Sequence, residues 1–354
     1  MKFGRDILGD YYSGSSREFL LTNGIGGSSS AAINGNSTRR YHSLLSASLV
    51  PPLDRVVLVH KVTESFDSVS TETAKILSFG EEKIADGFLN LESFEYDFFP
   101  KFRYFINGSI IEKELFMVYG KNCTVIKYKT LFSQSKNIKV SAKLFLNYRD
   151  IHIMGAEIKR SDFSYKLSDK NELVFMRNGS EFLKCSFPAN SNYLSKNEII
   201  DGLCYEIEKQ ERGETSTDSS LLAGSLEFEM ERDKEYFLAF YTPEIEQSNW
   251  NEVYDGERNR IAAIREQAGK DSFVQDLAQA ADSFIVKRES TDGMTLLAGY
   301  PWFSDWGRDT MIALPGLTLS TRRYSDCESI LSTFAKYCSE GMVPNKFPDW
   351  SSEP

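Results

Sequence analysis

Up to about residue 241, hydrophobic and polar residues alternate over short runs of the chain. A period of two places the hydrophobic side chains on one face of an extended strand, because successive residues of a strand point to opposite faces. The pattern therefore predicts strands that are buried on one side. The clearest run has hydrophobic residues at Ile138, Val140, Ala142, Leu144 and Leu146.

Turn signals separate these short runs. Asn107-Gly108 and Asn178-Gly179 are typical of two-residue hairpin turns, because Asn and Gly both accept the positive φ angles that a type I′ turn requires. Many short strands joined in this way indicate an all-β domain. We expect a large antiparallel sandwich of two sheets over residues 1–245, with a barrel as the alternative.

After Pro243 the hydrophobic period lengthens to about three and a half residues, which is typical of helices. A polar helix with few apolar positions comes first, and we treat residues 246–270 as an exposed helical linker. More strongly amphipathic helices follow in a second region, residues 271–354. The predicted helices span residues 250–268, 271–287, 308–320 and 324–339.

The apolar positions of the second region define helix faces that should pack inward. Gly341 marks the end of the last helix, since glycine is preferred just beyond a helix C-terminus. Three helices do not form a convincing domain alone, so we expect that the sequence is cut short at Pro354. The predicted inward positions are Phe273, Leu277, Ala280, Ala281 and Phe284 on the helix from 271, and Ile330, Leu331, Phe334 and Cys338 on the helix from 324.

Composition narrows the class of protein. Lys and Arg number 41 and Asp and Glu number 51, and the resulting net charge of −10 argues against nucleic acid as the main partner. Hydrophobic residues make up 41% and charged residues 26%, as in soluble globular proteins, and no apolar stretch is long enough to cross a membrane. Because no signal peptide is visible at the N-terminus, we expect a cytoplasmic protein that does not bind membranes.

Disulfide and metal chemistry find little support in the sequence. The five cysteines are an odd number without a C-x-x-C pair, which indicates reduced thiols that lie mostly in the core. Only three histidines are present, and none of them lies in an H-E-x-x-H motif. We therefore predict that the chain has no metal site.

Two segments carry polar residues at unusual density, and the first lies between two apolar strands near the N-terminus. Residues 39–42 are four consecutive side chains with hydrogen-bonding groups. Strand alternation would send two of them to each face, so at least one pair points toward the core or an interface and needs partners. A satisfied buried arginine is the equally weighted plainer interpretation. The candidates for a domain-interface or site-supporting role are Asn23, Arg39, Arg40, Tyr41 and His42.

The second segment runs from Gly299 to Thr310 and leads into a predicted helix. Its aromatic side chains offer flat apolar faces to a pyranose ring, and its charged groups offer strong hydrogen bonds to sugar hydroxyls. Asp309 lies at the helix N-terminus, where the dipole stabilises a carboxylate. The plainer alternative is that Asp309 caps the helix and pairs with Arg308. The candidate sugar-binding residues are Trp302, Asp305, Trp306, Arg308 and Asp309.

These two segments resemble the amylo-α-1,6-glucosidase family, the glycogen debranching enzymes of bacterial and archaeal type. The first segment matches through Leu20-Leu-Thr-Asn-Gly-Ile-Gly-Gly27 and Ser37-Thr-Arg-Arg-Tyr-His-Ser-Leu-Leu45. The second resembles the central motif of the family through Tyr300-Pro-Trp-Phe-Ser-Asp-Trp-Gly-Arg-Asp-Thr-Met-Ile312, followed by Gly341-Met-Val-Pro-Asn-Lys-Phe-Pro-Asp349. Further similarity extends the resemblance over essentially the whole chain.

The resemblance implies a multidomain fold, β first and α afterwards. An N-terminal antiparallel β-supersandwich, residues 1–245, would be followed by the linker 246–270. Residues 271–354 would then supply only the first helices of a six-hairpin (α/α) toroid. Helix faces that later hairpins cover would be exposed in such an incomplete toroid.

The resemblance also implies the hydrolysis of α-1,6-linked glucose stubs at the branch points of an α-glucan, with neither a metal nor an organic cofactor. In the inverting mechanism one carboxylic acid protonates the leaving oxygen and one carboxylate activates water, and both are expected beyond residue 354. Trp306, Arg308 and Asp309 would line the subsite for the terminal glucose, and Asn345 would join them. A non-catalytic α-glucan-binding protein, an inactive fragment and an α-1,4 exo-glucosidase stay open as alternatives.

Overall fold

The computed structural model describes residues 1–155, 157–213 and 217–346, in which strands dominate up to Tyr241 and helices dominate from Trp250. The strands are β1 (Lys2–Phe3), β2 (Glu18–Thr22), β3 (Ser28–Ala32), β4 (Ser43–Val50), β5 (Leu53–Phe66), β6 (Val69–Ser70), β7 (Thr73–Ser78), β8 (Glu81–Asp86), β9 (Leu91–Tyr96), β10 (Pro100–Ile106), β11 (Ser109–Met117), β12 (Cys123–Phe132), β13 (Asn137–Asp150), β14 (Phe163–Ser168), β15 (Glu172–Arg177), β16 (Ser180–Ser186), β17 (Asn192–Cys204), β18 (Thr217–Glu231), β19 (Glu235–Tyr241), β20 (Ile285–Arg288) and β21 (Gly293–Leu296). The helices are α1 (Arg5–Leu8), α2 (Tyr11–Ser15), α3 (Glu206–Arg212), α4 (Trp250–Ala268), α5 (Ser272–Asp282), α6 (Gly307–Leu314) and α7 (Tyr324–Ala335).

Two large antiparallel sheets lie face to face. The first has nine strands in the order β1-β9-β10-β11-β12-β19-β16-β15-β14. The second has ten strands, nine of them in the order β2-β3-β4-β5-β13-β18-β17-β7-β8, with β6 paired to β5. One hydrophobic cluster joins the sheets, to which Ile126 and Leu238 contribute from the first and Leu144 and Leu226 from the second. Each sheet ends in its own edge strands, so the sandwich prediction is confirmed and the barrel alternative is wrong.

The local sequence patterns of the sandwich are borne out. The predicted turn at 107–108 joins β10 to β11 with positive φ at both residues, and the turn at 178–179 joins β15 to β16 in the same way. Alternation along β13 places the predicted residues on one buried face. The side chains of β13 that are buried between the sheets are Ile138, Val140, Ala142, Leu144 and Leu146.

The predicted linker helix packs on the first sheet. Trp250 and Ile261 of α4 are buried in a cluster with Phe116 and Tyr241 of that sheet. The Trp250 indole also donates a hydrogen bond to Ser186 Oγ at 2.8 Å. The expectation of an exposed helix is therefore wrong for this face, because the few apolar residues of α4 lie on the side that meets the sheet.

The second region contains a hairpin that the sequence pattern did not predict. The helix predicted over 271–287 ends at Asp282, and β20 pairs antiparallel with β21 shortly afterwards. Ile285 and Val286 of β20 are fully buried. β-Branched residues favour the extended conformation, so the helix prediction is wrong for residues 283–287.

The two later helices begin close to their predicted starts. α6 begins at Gly307, and a π-helical turn over Pro315–Leu319 continues it. α7 begins at Tyr324 as predicted but ends at Ala335. Residues 347–354 of the predicted second region lie outside the described residues, and the six-hairpin toroid stays a prediction.

Two side chains that were predicted to face inward from the last helix lie at the surface. Ile330 and Phe334 of α7 are buried as expected, but Leu331 is exposed. Successive residues of a helix with 3.6 residues per turn point about 100° apart, so Leu331 cannot share the inward face of Ile330. Cys338 is exposed because it lies beyond the end of α7, whereas the other four cysteines are buried free thiols, as expected.

The helical region leaves apolar side chains exposed. The buried residues of α5 lie in its second half, where Ala281 packs inward as predicted. The predicted inward positions Phe273, Leu277 and Ala280 are exposed. Ile312 on α6 is exposed as well. No helix in the described part of the chain is long and apolar enough to cross a membrane.

Leu144→Ala tests the predicted register of the sandwich. Removing this fully buried side chain should lower the free energy of unfolding by about 2–5 kcal/mol, because lost burial and a new cavity both act. Denaturant unfolding measures the change. The neighbouring exposed residue supplies the control, and Lys143→Ala should change stability by no more than about 0.5 kcal/mol. Equal effects of the two substitutions would contradict this register.

Candidate functional site

The aromatic loop, residues 297–306, connects β21 to α6 and is shaped by its own backbone. Phe303 N–H donates to Gly299 O at 2.9 Å, and Ala298 N–H donates to Ser304 O at 3.0 Å. The sandwich holds the loop from outside through the guanidinium of buried Arg55, which donates to a loop carbonyl, Pro301 O, at 3.1 Å. The loop is thus fixed both internally and against the β domain.

Asp305 lies inside the protein, beneath the aromatic loop. Its side chain is fully buried and accepts hydrogen bonds from Arg288 at 2.5 Å and from Thr295 at 3.0 Å, both through Oδ2. Burial raises the pKa of Asp305, and the Arg288 guanidinium opposes that rise. Arg288 comes from β20 and Thr295 from β21, so the pair ties the loop to this hairpin.

Trp302 lies at the junction between the aromatic loop and the sandwich. Its ring meets Tyr41 edge-on with the ring centroids 6.1 Å apart, and the Arg39 guanidinium lies 5.4 Å from the centroid of the indole. It also packs against a small cluster that contains Val57 and Ile151. The structure therefore brings residues of both polar segments together around one half-buried ring.

Trp306 and Phe303 form an aromatic corner at the surface. Their ring centroids are 5.9 Å apart and their planes are inclined at 82°, and Phe303 is exposed. Lys346 Nζ lies 5.2 Å from the centroid of the Trp306 ring. The indole Nε1 of Trp306 is shielded from solvent and donates a hydrogen bond to none of the described residues. This corner combines apolar faces with a shielded donor.

Arg308 and Asp309 follow the aromatic corner in the first turn of α6. Arg308 is exposed and Asp309 is half-exposed, and Arg308 Nε lies 3.8 Å from Asp309 Oδ2. No side chain makes a capping hydrogen bond at the start of α6, and Oδ2 of Asp309 is shielded and accepts no hydrogen bond from the described residues. The plainer interpretation is therefore wrong about the helix cap, whereas the pairing of Asp309 with Arg308 that it also predicted is present.

Gly307 brings the segment around Asn345 to the aromatic loop. Gly307 N–H donates to Asn345 O at 2.9 Å, and a Cβ at Gly307 would lie only 2.0 Å from Pro344 O. Glycine is required at this position because a backbone approaches it so closely. The Asn345 side chain itself is exposed near the site, and the rest of its motif, residues 347–349, lies outside the described residues.

Arg39 and His42 from the first polar segment converge on Glu18. Arg39 Nε donates to Glu18 Oε1 at 2.8 Å, and Nη1 contacts Glu211 at the same distance. His42 Nδ1 accepts the Thr38 N–H, so the neutral ring carries its proton on Nε2, which lies 3.5 Å from Glu18 Oε2. Burial acts to raise the pKa of Glu18, but His42 and Arg39 outweigh it and lower the pKa.

Arg40 and Tyr41 point to a neighbouring part of the sandwich. The Arg40 guanidinium pairs with the fully buried Glu208 at 3.1 Å and donates to His152 O at 2.9 Å. The Tyr41 hydroxyl lies 3.3 Å from His152 Nδ1. Residues 40–42 are therefore buried and Arg39 is partly buried, and all four have polar partners. Arg39 and Tyr41 also reach Trp302.

Asn23 organises the glycine-rich turn. Its Oδ1 accepts the N–H groups of Ile25 and Gly27 at 3.1 and 2.9 Å, and its amide donates to Lys121 O at 3.0 Å. The neighbouring Gly24 O accepts an N–H from Lys287 in β20. This turn is a second contact between the sandwich and the hairpin that carries Arg288.

Several residues that shape the site were missed from the sequence. Arg55 follows Asp54 and Arg288 follows Lys287, and the sequence does not identify which of these neighbouring charges is buried or what its partner is. Phe303 lies inside the recognised segment but was not selected. Lys346 follows Asn345 in the sequence, and an isolated β-bridge between the backbones of Lys346 and Trp306 brings these two residues together. Among the described residues, no group of three or more His, Cys, Asp or Glu side chains is placed to hold a metal ion.

Comparisons with known proteins follow the same division into a β part and an α part. Residues 17–237 match the family described as glycogen debranching enzyme N terminal, and residues 279–354 match the family described as amylo-alpha-1,6-glucosidase. Both halves thus match carbohydrate-active proteins of one kind. The chain belongs to the glycogen debranching enzyme family.

A relative and two solved structures add detail. A glycogen debranching enzyme of Saccharomyces cerevisiae is 31% identical over 97 residues, which cover 24% of this chain and 6% of the yeast protein. A bacterial glucoamylase complexed with acarbose has a TM-score of 0.45 at 13% identity and covers 96% of this chain. A family GH92 alpha-mannosidase from Bacteroides thetaiotaomicron has a TM-score of 0.31 at 7% identity over 69% of this chain. The chain spans 52% of the glucoamylase and 36% of the mannosidase.

Arg288→Ala tests the buried pair beneath the aromatic loop. Leaving Asp305 buried without its partner should lower the free energy of unfolding by about 3–5 kcal/mol. The matched control is Lys287→Ala on the same strand, whose ion pair with Asp292 is exposed and should contribute about 1 kcal/mol or less. The change in the free energy of unfolding is measured by thermal or denaturant unfolding. Similar changes in both variants would refute the stabilising role of the buried Arg288–Asp305 pair.

Glu18→Gln tests the charge cluster at the junction. Because the pKa of Glu18 is lowered in the folded protein, its stabilisation is present above the unperturbed pKa of about 4.3 and is lost as the pH falls. We expect the variant to be about 1 kcal/mol less stable at pH 7, with the difference vanishing toward pH 3. Melting temperatures across pH measure this, with Glu181→Gln, an exposed carboxylate on β16, as control. A pH-independent difference would contradict the prediction.

Proposed function

We propose that this chain is part of a glycoside hydrolase that releases glucose from α-1,6-linked stubs at the branch points of an α-glucan. The observation that carries the proposal is the aromatic corner of Trp306 and Phe303 next to Arg308 and Asp309, in a chain of the glycogen debranching enzyme family. The two aromatic rings and the two charged side chains supply different parts of sugar recognition.

The aromatic rings account for the apolar part of recognition. A pyranose presents a C–H face that packs against an aromatic ring, and rings at a steep angle enclose it from two sides. Trp306 and Phe303 are inclined at 82°.

The charged groups account for the polar part. Arg308 and Asp309 offer donors and acceptors a few ångströms from the aromatic corner, and they meet each other at 3.8 Å, beyond hydrogen-bonding distance. Vicinal hydroxyls of the terminal glucose can bridge them with charge-assisted hydrogen bonds. We assign binding rather than proton transfer to both residues, and the exposed side chain of Asn345 completes this rim.

Asp305 and Trp302 take supporting roles in this proposal. Asp305 is enclosed with Arg288 and Thr295, so it holds the loop from below and does not contact sugar. Trp302 is held by Arg39 and Tyr41, so it positions the loop against the sandwich. The β domain then contributes to hydrolysis by fixing the geometry of the aromatic corner.

Trp306→Ala tests the sugar-binding role. Loss of the ring face should weaken glucan binding about tenfold or more, equivalent to roughly 1.4 kcal/mol, and should lower glucose release from a branched limit dextrin in proportion. Arg308→Ala should reduce glucose release as well. Release is measured on the native protein with the limit dextrin as substrate.

Tyr324→Ala is the control, since Tyr324 is an exposed aromatic residue of the helical region that lies outside the loop. It should leave both binding and release unchanged. Unaltered hydrolysis by the Trp306→Ala and Arg308→Ala variants would refute the proposal. Glucan binding without glucose release would favour the non-catalytic alternative, and release from linear chains alone would favour an α-1,4 exo-glucosidase.

A further inference from the structure

A groove lies between β14 and β15, at one edge of the first sheet, and β17 and β18 of the second sheet. Its cavity volume is about 280 Å³, just below the range of about 300–1,000 Å³ that is typical of ligand sites. Phe175, Leu221 and Ala223 form a floor of buried apolar side chains. The lining residues come from both sheets, so the groove lies where the two sheets meet.

Two tyrosines form the walls of this groove. Tyr165 on the edge strand β14 is 42% exposed, and its ring meets that of Tyr193 on β17 with centroids 5.0 Å apart and planes at 76°. The hydroxyl of Tyr193 donates to Ala223 O at 2.8 Å, which fixes the ring against the floor. An anchored ring and an exposed ring thus stand at a steep angle, as Trp306 and Phe303 do in the aromatic loop.

The rim of the groove is polar but uncharged. Ser164, Ser195 and Asn197 supply hydroxyl and amide groups, and none of the nine lining residues carries a charge, although 26% of the chain does. A neutral lining does not favour an ionic ligand. Apolar rings combined with neutral donors and acceptors match a ligand that has both C–H faces and hydroxyl groups.

The backbone of β17 is distorted where it meets the groove. Its register against β18 shifts between Ser195 and Glu198, and Asn197 within this bulge has a φ of +51°. Bulges re-aim side chains and are enriched beside functional sites, and a positive φ is unfavourable for most residues other than glycine. The distortion places the Asn197 amide at the rim.

We propose that this tyrosine groove is a second carbohydrate site, which holds a segment of an α-glucan chain while the aromatic loop engages a chain end. The choice of α-glucan rests on the proposed function, whereas the preference for a neutral, hydroxyl-rich ligand rests on the groove itself. The two sites share no residue and belong to different parts of the fold.

A second site suits a branched polymer because many chains belong to one particle. Once one chain is held in the groove, other chains of the same particle are present at a high effective concentration at the aromatic loop. The groove would therefore raise the apparent affinity for glycogen more than the affinity for a short oligosaccharide. This difference in affinity between glycogen and a short oligosaccharide distinguishes the groove from the aromatic loop, which binds a single chain end.

The test is affinity electrophoresis of the full chain in gels that contain glycogen, with maltoheptaose binding measured alongside. Tyr165→Ala should weaken glycogen retardation about tenfold, whereas Tyr165→Phe, which keeps the ring, should retain it. Phe105→Ala removes a comparably exposed ring from β10 and should have no effect. Ser195→Trp fills the groove without removing a wall and should weaken retardation as Tyr165→Ala does, which guards against an effect of misfolding.

The outcomes separate this inference from the proposed function. Loss of retardation in Tyr165→Ala and Ser195→Trp, with Trp306→Ala unchanged, would support the groove and refute the aromatic loop as a glucan site. If Trp306→Ala alone loses retardation and both groove variants bind glycogen as tightly as the parent protein, the groove is not a glucan site. Partial loss in each, and nearly complete loss in the Tyr165→Ala and Trp306→Ala double variant, is the result that we expect.

Discussion

Arg288 and Asp305 bury opposite charges beneath the aromatic loop, and the position of the loop depends on this pair. Both side chains are almost completely enclosed, so neither charge has water to stabilise it if the other moves away. The pair joins the loop to β20, and Thr295 joins it to β21. A hairpin that is short in sequence thus becomes the rigid base from which Trp306 and Phe303 are presented.

The sandwich stabilises the same loop from the opposite side. Arg55 holds the Pro301 carbonyl, while Arg39 and Tyr41 enclose the ring of Trp302. These contacts bring a segment near the N-terminus beside a loop that lies some 260 residues later in the chain. Burying polar side chains in a β domain costs free energy unless they have partners. Arg55 and Arg39 of the sandwich find some of their partners in the aromatic loop.

Much of the candidate site could be predicted from local pattern, but the roles within it could not. Trp302, Asp305 and Trp306 are equally prominent in the sequence, since each lies in one dense loop of aromatic and charged residues. The structure separates them into a junction residue, a buried ion-pair partner and a surface ring. Which way each side chain points depends on a hairpin that the helical pattern concealed, because Ile285 and Val286 fit either periodicity.

The sequence by itself determined the β-then-α order, the register of strands such as β13 and the turns at 107–108 and 178–179, because neighbouring residues decide these features. Tertiary structure alone decided that Arg288 meets Asp305, that Arg39 reaches Trp302 and that Tyr165 stands beside Tyr193. Each of these contacts joins residues of different strands or loops. Their encounter depends on sheet order and on how the two sheets pack against each other, which no local period encodes.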